Sequence, residues 1–279
     1  MKKLILIIAL LTISLYPHSK LLLLFDDGGY DADAQIYFNA MTTPLSSTQK
    51  ARVNTFVKML KDSLGITSLS EKFDVMYLLA NETSEAGLRN LVKRSHDATA
   101  VNSPTFTQWE GFKGNGTSSY INTNYNDSTQ AINYKINNAS FGIYSRTNIQ
   151  GNYRDCGEND VSPFSYLGMK WSDGKTYSAL TGGGVSFTAP ASTACFYLLS
   201  RITTDYQNDY VNGSLFQSIP RGTQGLKNLN WAIMQRGGFY SVRQYSFFYI
   251  GSGLTDTEVR KLTNCVEYYM DSVGKGVLP

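Results

Sequence analysis

Histidine, cysteine and charge are all scarce in this chain of 279 residues. There are two histidines, His18 and His96, and three cysteines, Cys156, Cys195 and Cys265, with no CxxC pair. That excludes a structural zinc site. Cys195 in "TACFYLLSR" and Cys265 in "LTNCVEYYM" lie in apolar runs, where a thiol behaves as a small buried hydrophobe. One disulfide stays open, without a pairing that sequence can fix. Nucleophilic triads lack their base: His96 follows a helical stretch in "KRSHDAT", with neither a Gly-x-Ser-x-Gly elbow nor a Cys-His signal to accompany it. A surface or capping duty fits it better. Charged residues are only 17% of the chain, and a net charge of +3 is spread without a basic stripe, which excludes nucleic acid as a partner. Long apolar runs are missing too, since no stretch reaches the roughly 18 residues of a membrane span. The start "MKKLILIIALLTIS" has the basic head and apolar body of a secretory signal, yet Thr12 and Ser14 are the only small residues well placed for cleavage, and "LLLLF" follows at 21–25. Residues 1–26 are therefore expected to form either a cleaved signal or a retained anchoring and assembly segment. No repeat of 20 to 50 residues exists, which sets solenoids aside.

What fills the chain instead is Asn, Ser, Thr, Gly and an abundance of Tyr, 19 in all, which is the composition of sheets joined by turns. Residues 27–100 read as a helical docking segment. In "SSTQKARVNTFVKMLKDSLG", Ser46 and Gln49 have capping-box spacing, Val53, Phe56, Val57, Leu60 and Leu64 share one face, and Gly65 is the stop. "DADAQIYFNAM", "SEKFDVMYLLAN" and "SEAGLRNLVKR" read as further short helices, with Phe73, Met76, Tyr77, Leu88, Leu91 and Val92 turned inward. From about residue 101 the period changes. "INYKIN" alternates Ile132, Tyr134 and Ile136; "SFGIYSRT" alternates Phe141, Ile143 and Ser145; "CFYLLSR" and "QYSFFYIG" are short buried runs. Asn212-Gly213 in "DYVNGSLFQS" predicts a type I′ hairpin, whose two central residues need positive φ. Strands about ten residues apart, without alternating helices, predict an antiparallel sandwich over 101–279. "LTDTEVRKLTNCVEYYMDSVGK" closes it as a helix, with Thr255 and Glu258 in capping-box spacing.

Several of these segments resemble one known architecture. "WEGFKGNGTSSYINTNYN" is similar to the opening strands of LamG-like domains in the concanavalin A-like superfamily, with Gly114 and Gly116 serving a turn and Tyr120 and Ile121 in the second strand. "NASFGIYSRTN", "DYVNGSLFQS" and "FFYIGSGLTDTEVRKLTNCVEYYMDSVG" match later strands, the hairpin and the closing helix of such domains. The layout over about 29–279 resembles a family encoded by tailed bacteriophages and prophages. The resemblance implies a mainly β, antiparallel jelly-roll β-sandwich, preceded by a small helical segment and closed by a C-terminal helix. It further implies a non-enzymatic virion component whose partners are other virion proteins or its own copies, displaying a module for host-surface glycan. The alternatives are a secreted bacterial carbohydrate-binding protein and, behind it, a glycan hydrolase.

The residues bear on these alternatives. The Glu-x-Asp-x-x-Glu run that β-glucan hydrolases of this superfamily carry is absent, so no catalytic residues are assigned. The nearest acids, Asp155, Glu158 and Asp160 in "RDCGEND", cannot share one strand face; they read as a solvated loop or, with a backbone carbonyl, as ligands for Ca2+. A hydrolase would have to pair Glu158 with Asp160 or Asp173. "TGGGVSF" lacks a lysine and opens no helix, so it reads as a sandwich corner and not a phosphate loop. Sugar binding needs a flat aromatic beside Asn or Asp. Tyr120, Tyr125, Tyr144, Tyr153, Trp171, Tyr177 and Tyr240 lie near Asn-rich or Gly-rich loops. The loop 171–184, with Trp171, Asp173 and Tyr177, joined by Tyr153, is the first place to look.

Overall fold

A computed structural model describes residues 29–158 and 165–278; the apolar start and Asp160 lie outside the described residues. Helices α1 (Ala32–Phe38) and α2 (Ser47–Leu64) come first, then a 3-10 turn at Leu69–Glu71, strand β1 (Phe73–Tyr77) and α3 (Ser84–Leu88). Strands β2 (Thr99–Val101), β3 (Thr105–Thr107), β4 (Gly111–Lys113) and β5 (Tyr120–Asn126) lead into the short α4 (Asp127–Gln130) and β6 (Ala139–Ser145). Next are β7 (Cys156–Glu158), β8 (Tyr166–Gly168), β9 (Lys175–Ala179), β10 (Val185–Thr188), β11 (Cys195–Arg201), β12 (Tyr206–Val211) and β13 (Ser214–Pro220). The chain ends through β14 (Asn230–Ile233), β15 (Gln235–Arg236), β16 (Phe239–Tyr240), β17 (Gln244–Gly251) and α5 (Asp256–Ser272).

These strands make an antiparallel β-sandwich, with small helices before it and a helix after it, as the sequence predicts. One sheet has eight strands in the order β13-β12-β11-β6-β17-β4-β3, with β1 also on β17; the other has seven, in the order β10-β9-β8-β7-β14-β5-β2. "GFKGNGTSSYINTNYN" bridges them, because β4 belongs to the first sheet and β5 to the second. Its turn is held by Asn115, whose side-chain oxygen accepts from the amides of Thr117, Ser118 and Ser119 at 2.9 Å each.

The eight-stranded sheet is the middle of three layers. Ile143, Tyr197, Leu199, Phe248 and Ile250 face the sandwich core with Ile121, Cys156, Leu167, Trp231 and Ile233 of the other sheet. Their strand neighbours Tyr144, Phe196, Leu198, Phe247 and Tyr249 face a second core with Phe56, Val57 and Leu60 of α2 and Val259, Leu262 and Val266 of α5. The helices are capped as their sequences require. Ser46 accepts from the Gln49 amide, but the expected box at α2 is only half made, because the Ser46 amide donates to Glu82 at 2.8 Å while the Gln49 side chain turns to Asn81 and Tyr269; Gly65 ends α2 at φ 67°, and Thr255 and Glu258 form a reciprocal capping box. The Tyr269 hydroxyl accepts from Gln49 at 2.8 Å and donates to the Ala80 carbonyl at 2.7 Å, which ties α5 to α2 and to the segment after β1.

Three local expectations are corrected. Phe73–Tyr77 is a strand and not a helix, paired antiparallel with β17. "SEAGLRNLVKR" is helical only over Ser84–Leu88. "INYKIN" forms no strand: the amides of Ile132, Asn133 and Tyr134 donate to the buried Asp74 carboxylate at 3.1, 3.0 and 2.9 Å, so one side chain takes the place of a ladder. Ile132 is 62% exposed in consequence. The Asn212-Gly213 turn forms as predicted, with φ of 51° and 77°.

Candidate functional site

Strand alternation builds the site. Ile233, Cys156 and Leu167 point into the sandwich core, so their strand neighbours Ala232, Gly157 and Tyr166 line the outer face of the seven-stranded sheet. The row continues to Asn122, opposite Ala232, on one side, and the next row pairs Gly168 with Tyr177. Glycine and alanine in the middle of the sheet leave room above the backbone, and large side chains from the loops occupy it.

The tight "WSDGK" turn between β8 and β9 closes with Trp171 N–H donating to the Lys175 carbonyl at 2.9 Å and Gly174 N–H to the Trp171 carbonyl at 2.9 Å. This presents the Trp171 ring 4.8 Å from Tyr177 and 5.4 Å from Phe239 of the β15–β16 hairpin. Gly168 permits the placement, because a Cβ there would stand 2.5 Å from Trp171 Nε1. Phe239 is 43% exposed and Trp171 and Tyr177 are half-buried, so the group offers an apolar surface to solvent. Asp173 accepts from the Tyr177 hydroxyl at 2.8 Å. That hydrogen bond holds the Asp173 carboxyl below its ordinary range and pushes the Tyr177 phenol up.

Two arginines complete the platform. The Arg154 guanidinium lies 4.0 Å from the Trp171 ring centroid, 4.9 Å from Tyr166 and 5.5 Å from Tyr177, while that of Arg236 lies 4.3 Å from Tyr166. Burial, and after it the charge of Arg236, push Arg154 down to about 10, against the pull of Tyr166, so it remains a cation at neutral pH.

Beside the platform is a cavity of about 270 Å³ lined by Tyr120, Asn122, Asn126, Asn228, Asn230 and Trp231. Tyr240 of the same hairpin packs 6.4 Å from Tyr120, so Phe239 and Tyr240 join platform and cavity into one surface. Asn126 donates to Asn228 at 2.7 Å, and Asn228 and Asn230 are exposed, so their remaining amide groups can meet hydroxyls. Behind the cavity Asp127 and Glu158 are buried, and burial raises Asp127 to about 7 while Glu158 and Trp231 act in the opposite direction.

No family model and no curated protein matches the sequence. Solved structures do match. In fold, the chain resembles toxin binding domains. The binding domain of botulinum neurotoxin DC in complex with SialylT is 12% identical with a TM-score of 0.53, covering 72% of this chain and 52% of that one. The same domain in complex with rat synaptotagmin II is 12% identical at a TM-score of 0.51, covering 72% and 53%. The botulinum neurotoxin serotype D binding domain is 12% identical at 0.50, covering 70% and 52%. The chain thus spans about half the length of these structures, and at this identity the likeness is one of fold.

Of the residues singled out in the sequence, Trp171, Tyr177 and Asp173 come together on this face. Tyr153 is close by, but its ring packs over Gly151 and beneath the Arg243 guanidinium, 5.3 Å away. "RDCGEND" is not the solvated loop the acids suggested, since Asp155, Cys156 and Glu158 are buried and the last two belong to β7. Asp155 does not stand open to a calcium ion: it is wholly buried, its carboxylate pairs with Arg243 at 2.6 Å, accepts from the Met169 amide at 2.6 Å, and takes the Tyr245 hydroxyl. Glu158 accepts from the Ser165 amide at 3.2 Å. No cluster of three or more His, Cys, Asp or Glu is gathered among the described residues. Cys156, Cys195 and Cys265 are buried free thiols, and burial raises all three above their ordinary range. His96 places Nδ1 2.8 Å from the Asn124 carbonyl. Sequence reasoning missed Arg154, Tyr166, Arg236 and Phe239; the only signal would have been Arg154 flanking the strand that carries Gly157.

Proposed function

We propose that this chain is a non-enzymatic carbohydrate-binding protein that engages a cell-surface glycan through the outer face of its seven-stranded sheet. The carrying observation is the set of rings of Trp171, Tyr177 and Phe239 side by side, with the Asp173 carboxylate next to them and an Asn-lined cavity beyond. Rings of this kind stack on the apolar faces of pyranoses, and carboxylate and amide groups meet the hydroxyls. The neurotoxin DC binding domain in complex with SialylT supports the reading, as a related fold that takes a saccharide. The sequence resemblance to phage proteins supports a place on a virion, held by other virion proteins or by copies of itself. The basic, apolar start favours a second reading, a secreted bacterial carbohydrate-binding protein.

Glycan-array binding with the intact chain tests the proposal. Trp171→Ala is expected to weaken any bound glycan by roughly tenfold or more, the equivalent of about 1.4 kcal/mol of lost ring contact. Unchanged binding would remove the platform from the site. Release of reducing ends from the bound glycan, lost in Glu158→Gln, would replace the binding module by a hydrolase. Detection of the chain by mass spectrometry in gradient-purified particles separates the virion placement from secretion.

A further inference from the structure

The platform holds more positive charge than a neutral sugar requires. Arg154 is only 7% exposed, its Nε and Nη1 have no hydrogen-bond acceptor, and no carboxylate forms an ion pair with it among the described residues. Three other arginines are matched by acids, Arg243 by Asp155, Arg89 by Glu85 and Asp97, and Arg146 by Glu110, while the buried Arg201 donates to the carbonyls of Leu180 and Thr204. Arg236, also 7% exposed, brings a second guanidinium to the ring of Tyr166 that Arg154 already faces. Burying a cation without a counter-charge costs stability, and two cations sharing one aromatic ring repel each other. Aromatic stacking offsets part of that cost and leaves the in-plane N–H groups unsatisfied. A planar fork of N–H donors fits a carboxylate or a sulfate two-point fashion.

Resting on the glycan-binding reading above, we propose that Arg154, with Arg236 beside it, is an anion subsite of the platform, and that the ligand is an acidic saccharide bearing a carboxylate or sulfate. The acid group meets the guanidinium edge while the sugar ring lies against Trp171, Tyr177 and Phe239. Binding supplies the counter-charge that the described residues do not provide at Arg154, so the cost carried by the free protein returns as selectivity for acidic over neutral sugars.

The test is a glycan array of matched pairs: sialyllactose with lactose, oligogalacturonate with its methyl ester, and sulfated with unsulfated lactose. The acidic member of at least one pair should bind tenfold or more tightly than its neutral partner, by a margin that shrinks in high salt. In Arg154→Met and Arg236→Met the acidic member should lose more binding than its neutral partner, so that the margin falls below threefold. Arg154→Met without ligand should melt no lower than the parent protein, because it removes an unpaired buried cation; Arg154→Lys should keep part of the preference. Equal binding of acidic and neutral members overturns the anion subsite and leaves the glycan reading standing. So does a preference that survives both methionine variants, and so does equal loss of neutral and acidic binding in them, which would make the arginines mere supports for Trp171. Failure of every member to bind overturns the glycan reading itself and this inference with it.

Discussion

Asp127 offers a stability effect whose sign and size both follow from the structure. It is 1% exposed, and neither carboxylate oxygen has a partner at hydrogen-bond geometry; the indole Nε1 of buried Trp231 has none either. Burial is the largest influence and raises the group from 3.8 to about 7, with the nearby Glu158 and Trp231 lowering it in part. In the unfolded chain the side chain releases its proton near 4, whereas the folded protein keeps it to about 7. Between those values the native state binds more protons than the unfolded state, so stability falls as pH rises through this window and the full cost is present above pH 7. At about 1.4 kcal/mol per pH unit the upper limit is about 4 kcal/mol, shared with Glu158. Asp127→Asn keeps the shape and removes the charge. It should be stabilising by about 1 kcal/mol at pH 4.5 and by up to about 4 kcal/mol at pH 8. Urea unfolding of both proteins at the two pH values reads the difference. Other groups cancel in that comparison, including Asp209, raised to about 6 by burial, and Glu85, lowered to about 2 first of all by Arg89. Equal pH slopes for parent and variant, or a less stable variant at pH 8, would refute the reasoning.

Two further outcomes test the frame around the site. Asp155→Ala strands the Arg243 guanidinium, with both side chains of the pair wholly buried, and should cost about 3–5 kcal/mol in denaturant unfolding; a loss under about 1 kcal/mol would mean that water or another group takes over the charge. Gly168→Ala pushes a methyl group to within 2.5 Å of Trp171 Nε1, so the indole must move. Glycan binding should fall at least as far as in Trp171→Ala while the melting midpoint changes by only a few degrees, and intact binding would show that the ring is not held where the sheet places it.

The legible parts of the fold were those with a single period. The stripe of α2 and the caps of α2 and α5 came directly from residue spacing, as did the Asn212-Gly213 turn. Strand β1 was hidden because it is buried on both faces: Phe73 and Met76 enter the helix-side core, Val75 and Tyr77 the sandwich core, its one polar residue, Asp74, is itself buried, and the register shifts between Phe73 and Val75, so no exposed face marks the alternation. The apolar alternation at 132–136 misled for the opposite reason, since a distant carboxylate, that of Asp74, had already claimed the amides. At the site, Trp171, Asp173 and Tyr177 were legible because one short turn contains them. Arg154, Arg236 and Phe239 were not, because their meeting depends on which strands are neighbours and on a hairpin that no local pattern ties to the sheet.

The pairing of β1 with β17 also bears on how the chain comes to be made. Ser252 donates to the Lys72 carbonyl across 180 positions, and Gln49 reaches Tyr269 across 220. During translation, α2 therefore emerges with its apolar stripe complete and only the short α1 to cover part of it. Its partners on β17 and α5 follow it by about 180 positions or more, which at roughly 5–20 residues per second leaves that stripe without them for on the order of ten seconds or more. The polar outer face of α2 and the brevity of α1 and α3 limit what can stick to the nascent chain in that interval, and the middle layer closes only when β17 arrives.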